Sequence, residues 1–391
     1  MPVLATNLNC TGCTACASAC LKSCITMTEN EYGFLRPVID SEFCISCGLC
    51  EKVCPIVNPL ALEPNTPKAY AAYSKNEAIR LDSSSGGVFT EIARSVLQYG
   101  GAVYGAAYNE QFEVIHICVE NEENIAKLRG AKYAQSDLGR TFVKIKQRLD
   151  TGRKVLFSGT PCQVSGLKAF LCKDYENLLT VDFVCHSVPS PMAWREYVKY
   201  RSAQDNNSEL PVAINLRSKE TGWSRYQYSN RFTYPSGAVH TEKSGESLYM
   251  KLFVGGYINR ESCKNCRFKG YKRISDLTIG DFWGIWDVVP EMDDNKGTSV
   301  VLIQSAKGEA LIDSVRNRLI IKLVTLEEAS CQNSAMLNAA KSNPKRMEAL
   351  EKIRSGKMRE CERWFITKKL SILQHVRSFV AKVLRKLKRI F

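Results

Sequence analysis

The first 54 residues carry one cysteine spacing twice. It occurs as Cys10-x2-Cys13-x2-Cys16-x3-Cys20 and again as Cys44-x2-Cys47-x2-Cys50-x3-Cys54, the second followed by Pro55. Three thiolates so spaced can wrap one face of an iron–sulfur cube. The fourth iron then takes its ligand from the last cysteine of the other run. The pattern predicts one 4Fe–4S cluster on Cys10, Cys13, Cys16 and Cys54, and a second on Cys20, Cys44, Cys47 and Cys50. Zinc sites usually join two close pairs across one long gap, and two complete four-cysteine runs fit that poorly. The first run departs slightly, with Leu21 where the second has Pro55. Cys24 is left over and reads as a packed thiol.

The whole chain has 391 residues and 17 cysteines. Disulfide-rich proteins are usually small and secreted, whereas a large cysteine-rich chain without a secretory signature points to metal. No apolar run is long enough to cross a membrane, and the N-terminus lacks the basic and apolar regions of a signal peptide. The expectation is therefore a cytoplasmic protein. The net charge is +14, and residues 365–391 hold eight Lys and Arg and no acid. Ile366, Leu370, Leu373, Val376, Val380, Val383, Leu387 and Phe391 recur there at helical spacing. Such a basic amphipathic helix either lies on the inner face of an anionic membrane or docks on the body with its basic face in water. No aromatic stacking platform accompanies it, so no nucleic-acid partner is expected.

A Pro/Asn-rich stretch (Pro55, Asn58, Pro59, Pro64, Asn65, Pro67) separates residues 1–60 from a different texture. From Lys68 onward strands alternate with helices: AYAAYS, GGVFTEIARSVLQYG, AVYGAAY, FEVIHICVE, ENIAKLRG, RTFVKIKQRLDTG, KVLFSG, TPCQVSGLKAFLC, LLTVDFVC and PMAWREYVKYR. Alternation of this kind predicts α/β units. Residues 212–260 are more β-like, with a turn at Pro235–Gly237, and 327–364 read as helical. The fold expected is α+β or α/β. A small ferredoxin-like 4Fe–4S domain (1–60) precedes a mixed α/β body, split into regions 68–150 and 151–325. A helical tail follows (326–391).

Within the body, Thr160 and Pro161 suit the start of a helix, which puts Cys162 at its positive end, where thiolate or phosphate is stabilised. Cys185 and His186 close a strand, and Cys263-x2-Cys266 supplies two further thiols. By chemistry alone, Cys162 could be a nucleophile with His186 as its base, or these could be scattered core thiols. SSSGGVFT, LRGAKYAQSDLG, FSGTPCQVSGLK, DFVCHSVPSP, Cys263-x2-Cys266 and SDLTIGDFWG occur in this order over roughly residues 5–290 together with the two runs. In that combination the chain resembles the beta-subunit family of coenzyme F420 hydrogenase/dehydrogenase, with a fused bacterial-type ferredoxin. The resemblance implies an iron–sulfur flavoprotein, with FAD and a third 4Fe–4S cluster on Cys162, Cys185, Cys263 and Cys266. It implies a flavin-binding body whose candidate residues are Ser84, Ser85, Gly86, Gly87, Gly130, Lys132, Tyr133, Gln135, Ser136, Gly159 and Thr160. Lys132 would meet a phosphate or N1 of the reduced flavin. His186 is the candidate proton donor. Asp276 and Asp281 read as turn organisers and His116 as a packed strand residue.

These expectations describe an oxidoreductase that passes electrons between ferredoxin-type clusters and a flavin. The flavin would reduce or oxidise coenzyme F420 or another small organic molecule, including a glycan or lipid intermediate. The partner would be a ferredoxin-like donor or a companion subunit. The alternative from another class is a non-catalytic electron-transfer subunit.

Overall fold

Strands β1 (Ile25–Glu29) and β2 (Leu35–Ile39) pair antiparallel and support the N-terminal cysteine runs. The body's strands are β3 (Lys68–Ser74), β4 (Ala102–Tyr108), β5 (Val114–Val119), β6 (Val155–Gly159), β7 (Leu178–Phe183), β8 (Ala213–Ser218), β9 (Ser229–Thr233), β10 (Val239–Lys243), β11 (Leu277–Asp281), β12 (Ser299–Ile303) and β13 (Leu319–Val324). The computed structural model describes residues 2–62, 64, 66–225 and 227–365. The basic amphipathic helix expected over 365–391 therefore lies, apart from Phe365, outside the described residues.

Eight strands form one sheet in the order β13-β3-β12-β11-β7-β6-β4-β5. The central pairs β4–β6, β6–β7 and β7–β11 are parallel, while β5, β12 and β13 run antiparallel to their neighbours. Parallel strands carry helices on both faces, so their sequences are continuously apolar instead of alternating. In β6, Val155, Leu156 and Phe157 are all fully buried. Leu156 meets the helices Val88–Leu97 and Ala306–Val315 on one face. Val155 and Phe157 meet the helices Thr141–Asp150 and Pro161–Leu171 on the other. That second core also takes in Cys13, Ala15 and Val53, so the N-terminal module packs against the sheet's helices as an extension of their core.

β8, β9 and β10 form a separate three-stranded antiparallel sheet. Its core is aromatic, built from Trp194, Tyr197, Phe232 and Tyr249. The helix Arg346–Arg354 closes it through Leu350 and Ile353.

The large sheet draws strands from both 68–150 and 151–325, and β4 bonds directly to β6, so these two regions share one core. ENIAKLRG, expected as an ordinary helix, forms a 3₁₀ segment, Glu122–Leu128. Ile125 and Leu128 are its buried residues, and residues three apart eclipse in a 3₁₀ turn. β13 has no counterpart in the sequence reading. It is an edge strand whose Ile320 and Leu323 stay exposed, so its apolar pattern does not track burial.

Candidate functional site

Of the N-terminal cysteines, one of the two expected sets shares a pocket. Cys10, Cys13, Cys16 and Cys54 line one apolar pocket of about 350 Å³. Burial pushes the Cys13 thiol up to about 11, and the neighbouring thiols Cys10 and Cys54 push it further the same way. Crowded buried thiols resist ionising unless a metal replaces their protons. The second set is more open. Cys50 is buried, Cys20 and Cys44 are half-buried and Cys47 is exposed. Cys24 is a packed thiol, buried with Cys16, Ile25 and Cys50, and its sulfur lies 3.3 Å from that of Cys20.

Four cysteines of the body, distant in sequence, meet at a second pocket of about 660 Å³. Cys162 begins the helix Pro161–Leu171, which Thr160 caps. The Thr160 hydroxyl accepts from the Gln163 N–H, and the Gln163 side chain accepts in return from the Thr160 N–H. Cys185 follows β7, and Cys263 and Cys266 come from the short turn Glu261–Asn265 and the residue after it. Arg260, Arg267 and Lys269 also line the pocket, with no carboxylate among the described residues around it. Burial pushes Cys185 up to about 12, and Lys269 opposes this. Burial likewise raises Cys263 to about 11. Cys162 rises well above the ordinary thiol range through burial, and the three other thiols of the set add to it. A nucleophilic cysteine needs its thiolate favoured, so this environment weighs against that role and suits a ligand. Among the described residues no three such side chains stand close enough to chelate one metal ion. A four-iron cube makes no such demand, because each thiolate binds a different iron.

The two pockets adjoin. Thr11 and Ile56, each next to a cysteine run, line both. The helix Pro161–Leu171 spans the same seam. A Cβ on Gly166 would stand 2.9 Å from the Cys13 sulfur. Gly166 lies one turn beyond Cys162, about 6 Å along the helix axis.

His186 lines the second pocket, with its ring edge-on to Phe253 at 5.2 Å. Burial, then the charge of Lys269, lowers its pKa, so it sits there neutral. The other side of Phe253 meets Tyr133 at 5.1 Å, which links this pocket to the loop carrying Gly130–Ser136. In that loop Lys132 Nζ donates to the carbonyls of Lys127 and Arg129. Burial lowers it to about 7, and its ammonium stands 5.9 Å from the centre of the Tyr108 ring; Lys132, Tyr108, His116 and Tyr133 are all half-buried. The Tyr108 hydroxyl and His116 Nδ1 are buried with no partner among the described residues. Polar atoms of this kind normally find a partner, and a polar cofactor bound beside them would supply one. His116, read from sequence as packed, does stack on Phe157. Ser136 accepts from Gln163 Nε2, which ties the loop to the Cys162 helix. Gln135 points the other way, toward the N-terminal module, where it accepts from Leu35 N and Arg260.

The serine–glycine turn is mostly engaged with protein. A Cβ on Gly86 would strike Ala72 O at 2.4 Å, and Gly87 has φ +83°. These glycines are therefore required by the close approach of β3 and β12 and by the start of the helix Val88–Leu97. Arg217 and Trp223 donate to Ser84 O, and Lys219 donates to Ser85 O. Arg217 also pairs with Asp281 at 2.9 Å. Asp276 accepts from the Thr180 N–H and hydroxyl and from the Ser305 hydroxyl, stitching β7 to β11. Arg217, Lys219 and Arg260 carry no motif signal, and pattern reading passes over them.

Comparison with known proteins bears on the same residues. The 4Fe-4S dicluster domain model matches residues 9–57. The models for the coenzyme F420 hydrogenase/dehydrogenase beta subunit match 69–141 (N-terminal part) and 152–329 (C terminus). The chain is 27% identical over 335 residues to the coenzyme F420-dependent sulfite reductase of Methanocaldococcus jannaschii, covering 82% of this chain and 48% of that protein. It is 24% identical over 165 residues to a subunit of the F(420)H(2) dehydrogenase of Methanosarcina mazei, covering 39% of this chain and 46% of that one. The chain thus spans about half the length of the curated relatives it matches. A chain of the F420-reducing nickel–iron hydrogenase complex from Methanosarcina barkeri aligns with a TM-score of 0.45 at 16% identity, over 78% of this chain and 94% of that one.

Proposed function

Since the chain belongs to the coenzyme F420 hydrogenase/dehydrogenase beta-subunit family and carries a 4Fe-4S dicluster domain, we propose that it is an iron–sulfur flavoprotein oxidoreductase acting on coenzyme F420 or another organic molecule. The observation that carries this reading is the shared wall. Cys162, Cys185, Cys263 and Cys266 converge on a pocket that has Thr11 and Ile56 in common with the pocket of Cys10, Cys13, Cys16 and Cys54.

Bound at these sites, the clusters supply one-electron transfer and a flavin supplies its conversion to two-electron, hydride-type chemistry. Around them the residues have separable duties. Exposed Cys47 brings the outer set to the surface, where a redox partner can reach it. Cys162, Cys185, Cys263 and Cys266 would hold a third cluster, with Lys269 and Arg267 as counter-charges. The Gly130–Ser136 loop, with Tyr108 and His116, lines the site proposed for the flavin. Lys132, lowered to about 7, can give or take a proton there near neutral pH. Ser84, Ser85, Gly86 and Gly87 bound the opposite end through Arg217 and Asp281. Gly159 and Thr160 set the start of the Cys162 helix. His186, the candidate proton donor, stands on the cluster side of Phe253, where as a neutral imidazole it would donate only after first taking up a proton.

One matched relative is named as a subunit of an F(420)H(2) dehydrogenase, and this favours a second reading, in which the chain is an electron-transfer subunit that depends on a companion. Anaerobically purified full-length protein should release a flavin on acid extraction and bleach its clusters when reduced coenzyme F420 or reduced ferredoxin is added alone. Bleaching only after a partner subunit is supplied would favour the second reading. Absence of flavin would refute the first.

A further inference from the structure

Arg260 belongs to no cysteine motif, and it is 2% exposed at the seam between the N-terminal module and the body. Its Nε donates to the Cys10 carbonyl at 2.8 Å and its Nη2 to the Leu35 carbonyl at 2.9 Å. Nη2 also points at the Cys10 sulfur, 3.8 Å away. Nη1 donates to Gln135 Oε1 at 2.8 Å. These partners are neutral oxygens and a sulfur. A buried guanidinium ordinarily has an anion beside it, and none of the bonded oxygens is one. Arg260 also lines the pocket of Cys162, Cys185, Cys263 and Cys266, and its carbonyl accepts from the Cys263 N–H at 3.1 Å. Arg260 therefore meets both proposed cluster sites, through its guanidinium at Cys10 and its carbonyl at Cys263, and its charge also acts on the Cys263 thiol. Gln135 orients it, accepting at once from Arg260 and from the Leu35 N–H.

We propose that Arg260 is a positioning residue and the shared counter-charge of the two inner iron–sulfur sites. It would fix Cys10 in place and raise the reduction potential of the cluster that Cys10 holds. The inference rests on the cluster assignment above. When such a cluster accepts one electron, delivered from the outer cluster, its net charge becomes more negative by one. A cation and an N–H donor at the ligand sulfur favour the more negative state. In a buried seam this attraction is weakly screened. Arg260 would thus make the inner cluster a better acceptor than its own ligands alone allow, and draw electrons inward from the surface.

The test is an EPR-monitored redox titration of the full-length, anaerobically purified protein and of Gln135→Glu, Arg260→Lys and Arg260→Leu. Gln135→Glu is isosteric, keeps the guanidinium in place and sets a negative charge against it. The midpoint potentials of the two inner clusters should fall in Gln135→Glu and fall further in Arg260→Leu, the larger shift being at the cluster that Cys10 holds. Arg260→Lys should lie between wild type and Arg260→Leu, and the outer cluster's potential should hold throughout. Should Arg260→Leu lose iron, Gln135→Glu decides. Unchanged potentials in Gln135→Glu at wild-type iron content overturn the proposal, as does an equal shift of every cluster. Zinc in the wild-type protein would overturn the cluster assignment as well, and is visible before any substitution is made.

Discussion

The missing side chain at residue 166 lets the N-terminal module touch the helix that carries Cys162. Gly166→Ala would gain helix propensity, worth about 1 kcal/mol. The added methyl, however, would sit 2.9 Å from both Cβ and Sγ of Cys13. Overpacking of that kind costs about 1–3 kcal/mol, so a net loss is expected. Iron should leave the Cys10 set while the outer set keeps its signal, which EPR of the variant would read. Asp182, on β7, is 1% exposed with one carboxylate oxygen unpartnered. Burial raises it from 3.8 to about 6, against the pull of Arg273. A carboxyl raised in the fold stabilises when protonated, and that contribution is lost as pH climbs through about 6. Asp182→Asn should therefore gain on wild type as pH rises from about 3 to 7, by about 3 kcal/mol for the full shift and about 1 kcal/mol between pH 5 and 7. Thermal melts at several pH values would show the gap widening; a constant gap would contradict the assignment. At this scale the sequence discloses the thiols, because iron demands fixed local spacing. It does not disclose Arg260, whose partner Cys10 is 250 positions away.

Local chemistry also sets the helix Pro161–Leu171. The Thr160–Gln163 capping box and Pro161 define its start, and both are legible as residue types at fixed offsets. What the pattern hides is that Gln163 also donates to Ser136, so one side chain caps the helix and anchors the loop. Gln163→Leu should remove both bonds and cost about 1–2 kcal/mol. Iron at the Cys162 site should become easier to strip with a chelator, while the N-terminal clusters resist as before. Equal stripping rates at all sites would argue against this helix as the support of a separate cluster. Strands covered on both faces, such as β6 and β12, announce themselves as apolar runs. Edge strand β13 does not, since two of its five apolar residues, Ile320 and Leu323, stay in water. Glu122–Leu128 reads as an ordinary helix because three-residue periodicity and helical periodicity coincide over a single turn.

Across the whole molecule the alternation of strands and helices makes the mixed α/β body legible. It leaves hidden that one sheet crosses position 150 and that the N-terminal module shares a core with it. The two N-terminal clusters are written in spacing, whereas the four cysteines proposed to hold a third are brought together by topology from the ends of β6 and β7 and a turn before β11. As proposed, that third site would join the ferredoxin-like module to the Gly130–Ser136 loop, and the account stands or falls with it. The most direct measurement is iron and acid-labile sulfide per chain in anaerobically purified wild type, Cys162→Ser and Cys263→Ser. Three cubes require about twelve irons in the wild type, and about eight in both variants, with the N-terminal signals intact. Loss of turnover in Cys162→Ser at unchanged iron, with Cys263→Ser mild, would contradict the account and return Cys162 to the role of a nucleophile.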